Sequence, residues 1–209
     1  MRPAQGSGGV TRVAFATLGC RLNQVDSQQL QAALEARGFS TVPFGAAADV
    51  VVVNTCTVTA RAEVSDRQAI RRARRANPDA RVVVTGCWAQ TSAAEVARQP
   101  GVDLVVGNAD KARLPTLLDD LLKISRGPTR VEVGDIATAR VVDVDLPTRV
   151  PGRSRAFVKV QDGCQHRCAF CIVPRARGAS RSLEPARVVD DPRAALAAAV
   201  VGAAGVFHR

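Results

Sequence analysis

The sequence predicts an α/β fold whose N-terminal part is a doubly wound, mostly parallel sheet. Two observations carry that expectation. Short apolar, β-branched runs (RVAFATL, DVVVVNT and RVVVTG) recur along the first half of the chain, and a helical pattern of ten or more residues follows each. Alternating strand and helix implies a parallel sheet covered on both faces. A third observation bears on function: each run leads directly into a cysteine. The carboxyl ends of the strands in such a sheet face one crevice, where ligands bind.

The elements follow in order. A strand over 13–18 leads into a helix over 24–37, which Gly38 stops. A weaker strand over 40–44 precedes one over 49–54. The helix over 60–76 ends at Asn77-Pro78, because proline disfavours helix at the residue before it. A strand over 81–86, a helix over 90–98, a strand over 103–107 and a helix over 111–124 complete the pattern. Gly127-Pro128, Pro147 and Pro151-Gly152 mark a linker with one strand over 130–133. The expected organisation is an N-terminal domain over 11–126, a linker over 127–154 and a second unit over 155–209.

The cysteines carry the chemistry. Cys20, Cys56 and Cys87 follow three strands and are expected to meet at one sheet edge. Taken singly, each also fits a small buried hydrophobe. The other set, Cys164, Cys168 and Cys171, lies in VQDGCQHRCAFCIVPRARG, and no cysteine lies beyond it. Zinc sites usually pair four ligands as two Cys-x-x-Cys units. Three thiolates instead suit three irons of a [4Fe–4S] cube, with the fourth iron open to a ligand. A structural zinc loop or a chance run of cysteines is the alternative.

Other site chemistries find little support. His166 and His208 are the only histidines, which disfavours a Ser-His-Asp triad or a histidine-rich metal site. His166 reads as solvent-facing and Trp88 as packing. Neither Gly-x-Gly-x-x-Gly nor a P-loop occurs. Six cysteines without an export signal argue for metal or redox chemistry in the cytosol. No run of about eighteen apolar residues suggests a membrane span.

The 209 residues carry a net charge of +10, which favours a polyanionic partner. Lys111, Lys123 and Lys159 are the only lysines beside abundant arginine, alanine and valine, so GC-rich coding accounts for part of that charge. The helix over 60–76 carries Arg61, Arg67, Arg71, Arg72, Arg74 and Arg75, a ridge suited to phosphates or simply a solvated face.

Cys-x-x-x-Cys-x-aromatic-Cys, with Phe170 in the aromatic slot, resembles the signature of the radical S-adenosylmethionine (SAM) enzymes. TLGCRLNQ, NTCTVT, RQAIRRARRANPDARVVVTGCWAQ and DGCQHRCAFCIVPRARG resemble, in order and spacing, blocks of the radical-SAM tRNA methylthiotransferase family. The TLGC-x-x-NQ form looks like its threonylcarbamoyladenosine branch. The resemblance covers 11–182. It implies two [4Fe–4S] clusters: one on Cys164, Cys168 and Cys171 that cleaves SAM to a 5′-deoxyadenosyl radical, and an auxiliary one on Cys20, Cys56 and Cys87 that supplies sulfur. Phe170, Pro174 and Arg177 match motif positions near the SAM site. The implied partners are tRNA, modified at C2 of the N6-threonylcarbamoyladenosine at position 37, a reduced flavodoxin- or ferredoxin-type electron donor, and a sulfur donor that the sequence does not name.

The resemblance also implies that 155–209 begins a radical-SAM partial (βα) barrel and stops short. The expectation is a truncated core, inactive alone, whose apolar stretch 194–207 ends where another strand would begin. An iron–sulfur or zinc RNA-binding module without turnover, and a simple electron carrier, are the competing classes.

Overall fold

The computed structural model describes residues 10–140, 142, 157, 159–166 and 168–188. Strands β1 (Arg12–Thr17), β2 (Ser40–Val42), β3 (Val50–Thr55), β4 (Arg81–Gly86), β5 (Leu104–Val106) and β6 (Arg130–Glu132) form one sheet in the order β2-β1-β3-β4-β5-β6. Every pairing is parallel. The doubly wound expectation is met.

Side chains alternate between the faces of each strand, and each face has its own core. Ala14, Ala16, Val51, Val53, Val82 and Val84 pack with Ile70 and Ala73 of α2 (Ala60–Ala76). Val13, Phe15, Val50, Val52, Val83 and Leu104 pack on the other face with Leu30 and Leu34 of α1 (Arg21–Glu35). Burial on both faces explains why these strands are apolar throughout instead of alternating. The chain leaves β1 for β2 and returns to β3, so α1 and α2 diverge to opposite faces. This β1/β3 junction is the topological switch point, where such sheets open a crevice.

Helix ends differ from the expected ones for local reasons. Helix α1 starts at Arg21 because the extended Cys20 caps it. Gly38 stops it as expected: at φ +86° its N–H reaches Glu35 O, while Phe39 N–H reaches Leu34 O. The helix expected over 90–98 is two, α3 (Cys87–Thr91) and α4 (Ala93–Ala97). Ser92 breaks it: its N–H closes α3 on Trp88 O, while its own carbonyl accepts from Val96 and opens α4. The helix expected over 111–124 begins as a 3-10 turn (Asn108–Arg113) and becomes α5 (Leu114–Lys123), with Pro115 in its first turn.

Strand β6 lies inside the expected linker and completes the sheet, so this unit extends beyond residue 126. Most of the linker beyond 140 lies outside the described residues, as does 189–209. The described part of the second unit has β7 (Gln161–Asp162) antiparallel to β8 (Arg181–Ser182), with the cysteine loop and α6 (Val173–Arg177) between them. Much of the partial barrel expected over 155–209 lies outside the described residues; the described ones contain this ribbon and no parallel βα unit. Among them, no helix is long and apolar enough to cross a membrane.

Candidate functional site

Three adjacent strands deliver three thiols to one edge. Thr17 pairs with Asn54 and Thr55 with Gly86, so Cys56 and Cys87 each lie one residue beyond a paired position, and Cys20 follows β1 through Leu18 and Gly19. Cys20 and Cys56 thus flank the switch-point crevice. Gly19, at φ +88°, passes over the Cys56 side chain so closely that an added Cβ would lie 2.5 Å from Cys56 Cβ and 2.6 Å from its Sγ. Only glycine tolerates both the backbone conformation and the approach. Cys56 and Cys87 are buried and Cys20 is exposed.

The strand ends are fixed by buried polar groups. Asn23 Nδ2 donates to Leu18 O and Thr55 O, at 2.8 and 2.9 Å. Asn54 Nδ2 donates to Asn23 O and Ser27 Oγ, at 2.9 and 3.0 Å. The Asp66 carboxylate accepts the Cys56 N–H at 3.1 Å. Burial pushes the Cys56 thiol up, and the nearby Cys87, Cys20 and Asp66 push it further. That mutual influence reflects the convergence of the three thiols.

The second trio lies on the loop between β7 and α6. Cys171 N–H donates to Cys168 O and Cys164 N–H to Gly178 O, both at 3.0 Å. Cys168 is exposed; Cys164 and Cys171 are half-buried. All six thiols are free. Among the described residues, no three His, Cys, Asp or Glu side chains are grouped closely enough to hold a metal ion. The two trios fit iron–sulfur chemistry through their donor type, soft thiolate sulfur.

What joins the two units was not legible in the sequence. Asp26, on α1, is 3% exposed and receives three cations: Lys111 Nζ at 2.8 Å, Lys159 Nζ at 2.9 Å and Arg177 Nη2 at 2.8 Å. Arg177 also donates to Asn23 Oδ1 at 2.7 Å and Asp162 Oδ1 at 3.0 Å. Lys159 reaches Asp162 at 2.7 Å. Burial pushes the Asp26 carboxyl up, but Arg177, Lys111 and Lys159 outweigh it and hold it well below the usual carboxylate range. Two of the chain's lysines thus converge on one aspartate. Asn108 Nδ2 adds a bond to Ala176 O at 2.7 Å and lies 3.9 Å from Cys87 Sγ, which sets α6 beside the first trio.

The remaining predicted site residues fare differently. Arg177 is 3% exposed and committed to this network. Pro174 sits in the first turn of α6, and Phe170 is 93% exposed. His166 is exposed and Trp88 is fully buried under Arg67, as expected. The arginine ridge is partly structural. Arg67 pairs with Glu95 at 2.6 Å, Arg74 holds Pro78 O, Ala80 O and Gly101 O, and Arg72 stacks on Phe44. Arg61, Arg71 and Arg75 remain on the exposed face.

Residues 12–107 match the family described as "Uncharacterized protein family UPF0004". The chain is 45% identical over 179 residues to the threonylcarbamoyladenosine tRNA methylthiotransferase MtaB of Aquifex aeolicus, covering 85% of this chain and 43% of that protein. The similarity to tRNA methylthiotransferases runs along most of this chain. The Bacillus subtilis protein of the same name is 43% identical over 178 residues, covering 85% of this chain and 39% of that one. A tRNA-2-methylthio-N(6)-dimethylallyladenosine synthase of Thermobifida fusca is 35% identical over 185 residues, covering 87% and 37%. The chain therefore spans about two-fifths of the length of the curated relatives it matches.

Proposed function

We propose that this chain is the cluster-bearing part of an enzyme that places a methylthio group on C2 of the N6-threonylcarbamoyladenosine at position 37 of tRNA, in the cytoplasm. The observation that supports the reading is a pair of thiol trios, one following three adjacent parallel strands and one on the β7–α6 loop, in two units tied together through buried Asp26. The branch assignment is supported by identities of 45% and 43% to relatives named for that nucleoside, against 35% to one named for dimethylallyladenosine.

In this reading Cys20, Cys56 and Cys87 hold one [4Fe–4S] cluster and Cys164, Cys168 and Cys171 the other. When bound, the clusters and SAM supply the radical, sulfur and methyl chemistry. The chain's own residues do the placing. Gly19 lets the backbone pass close over the Cys56 side chain, and Asp66 pins the Cys56 backbone. Arg177 ties the β7–α6 loop to the first turns of α1, which fixes the spacing between the two trios. Phe170 offers an uncovered ring for the adenine of SAM, and Pro174 sets the turn behind it. Arg71 and Arg75, one turn apart, are placed to grip tRNA phosphates. Electrons come from a reduced flavodoxin- or ferredoxin-type donor. Residues 11–126, with β6, form the auxiliary-cluster unit, and the radical-SAM core begins near 155.

The test is nucleoside mass spectrometry of tRNA from a strain lacking the gene. N6-threonylcarbamoyladenosine should persist without its 2-methylthio group. Retention of that group, or its loss from dimethylallyladenosine instead, would overturn the substrate assignment.

A further inference from the structure

A cavity of about 180 Å³ lies between α1, the 3-10 turn before α5 and the β7–β8 ribbon. Its polar wall holds Lys111, Lys159 and Arg181 against two carboxylates, Asp26 and Asp162. With Arg177 behind them, the network has four cations and two anions, all with side chains 13% exposed or less. A buried surplus of charge is costly unless an opposite charge meets it.

The hydrogen-bond inventory points the same way. Lys111 has three donors and a single acceptor among the described residues, Asp26. Among the described residues, Arg181 Nε and Gln29 Nε2 are buried donors without a partner, and both residues line the cavity. The Arg181 side chain is only 10% exposed. Asn108, whose buried Oδ1 has no partner among the described residues, lines it too. The opposite wall is apolar, built from Leu30, Ala33 and Pro115. The complementary ligand is a small oxyanion with an N–H or O–H of its own and a short aliphatic body. Inorganic phosphate supplies the charge but not the aliphatic body. An amino-acid carboxylate group supplies all three.

We propose that this cavity is a binding site for an amino-acid carboxylate group, with the threonyl end of N6-threonylcarbamoyladenosine as its occupant. This rests on the function proposed above and deepens it. The threonyl group carries a carboxylate for Lys111 and Arg181, and hydroxyl and carbamoyl N–H donors for Asn108. A dimethylallyl group offers none of these and would leave the surplus positive charge unmet, so the cavity selects between the two modified adenosines. Asn108 joins the cavity to Cys87, since its amide lies 3.9 Å from that sulfur. The site therefore lies beside the first thiol trio. The methionine end of SAM carries the same chemistry, and the experiment separates the two sources.

The test is an NMR titration of the 209-residue chain with N6-threonylcarbamoyladenosine, SAM, adenosine and inorganic phosphate. The modified nucleoside should bind with half-saturation at or below about 1 mM, while adenosine and phosphate bind far more weakly. Gln29 takes no part in the ion network, so Gln29→Leu should keep the fold and weaken binding about tenfold. Gln29→Glu, which sets an acid against the carboxylate, should abolish it. Binding of SAM alone with the same Gln29 dependence would uphold the carboxylate site and assign it to the cosubstrate. No binding of either compound, phosphate or adenosine binding as well as the nucleoside, or indifference to Gln29 would overturn the inference. The tRNA nucleoside profile is read independently. Loss of the 2-methylthio group in the deletion strain, together with no binding here, removes the cavity inference and leaves the functional reading standing.

Discussion

Replacing Asp26 with asparagine tests how the two cysteine-bearing units are held together. The substitution keeps the side chain's size and removes its charge. Lys159 and Arg177, now 2.8–2.9 Å from the carboxylate, would then share Asp162 with Arg181, and Lys111, now at 2.8 Å, would lose its one acidic partner among the described residues. Breaking a buried ion pair from one side costs about 3–5 kcal/mol, because the remaining charge keeps its desolvation penalty and loses its compensation. Three cations depend on Asp26, so the upper part of that range is expected. The loss should be local. Lys159, Asp162 and Arg177 belong to the β7–α6 unit, whereas the sheet core shares no atom with the network. Urea unfolding gives the magnitude, and hydrogen exchange locates it: amides over 160–183 should lose protection while those of β1, β3 and β4 keep theirs. Acid should mimic the mutation. The folded-state carboxyl is depressed, so its stabilisation is present above the ordinary aspartate range and is lost as pH falls toward the depressed value. A cost below about 1 kcal/mol, or an equal loss of protection throughout the sheet, would refute the latch.

Gly19→Ala should destabilise the chain by roughly 2–4 kcal/mol by thermal or urea unfolding, from a positive φ and a Cβ driven into Cys56; a change under about 0.5 kcal/mol would show that the loop has room to move. Burial first, and Glu63 after it, push the Asp66 carboxyl up to about 7. Its folded-state value lies above its unfolded one, so the metal-free chain should be most stable near pH 4–5 and lose roughly 2–4 kcal/mol as pH rises through 7. Asp66→Asn should flatten that profile, and an unchanged slope would exclude Asp66 as its origin. Arg71→Gln with Arg75→Gln should weaken tRNA binding and reduce its log–log salt slope by about 1.5 without altering stability. An unchanged slope would place the tRNA surface elsewhere.

The sheet was legible because strands buried on both faces must be apolar at every position, and VVVVNT and RVVVTG read that way without help. The placement of Cys56 and Cys87 at neighbouring strand ends was legible for the same reason: a residue directly after a parallel strand has one place to go. Local chemistry hid the rest of the helix pattern. Ser92 followed by Glu95 three residues later is a helix-start signature inside what reads as one helix, and it was the available sign that α3 and α4 are separate. Asp26 left no such sign. Its partners Lys111, Lys159 and Arg177 lie 85, 133 and 151 residues away, beyond any periodicity. The one hint was compositional, since a lysine retained in an arginine-rich chain suggests a position where a compact ammonium is required. Arg177 adds what its motif position did not signal: buried between Asp26 and Asp162, it ties the two units together.

The central claim, two independent iron–sulfur sites, one at the edge of the parallel sheet and one on the β7–α6 loop, is tested most directly by metal and sulfide analysis of the anaerobically reconstituted chain. Iron and acid-labile sulfide should correspond to two [4Fe–4S] clusters. Alanine at Cys20, Cys56 and Cys87 should remove about half of both, and alanine at Cys164, Cys168 and Cys171 the other half. Zinc without sulfide, or either triple substitution removing all of the iron or none of it, would contradict the account.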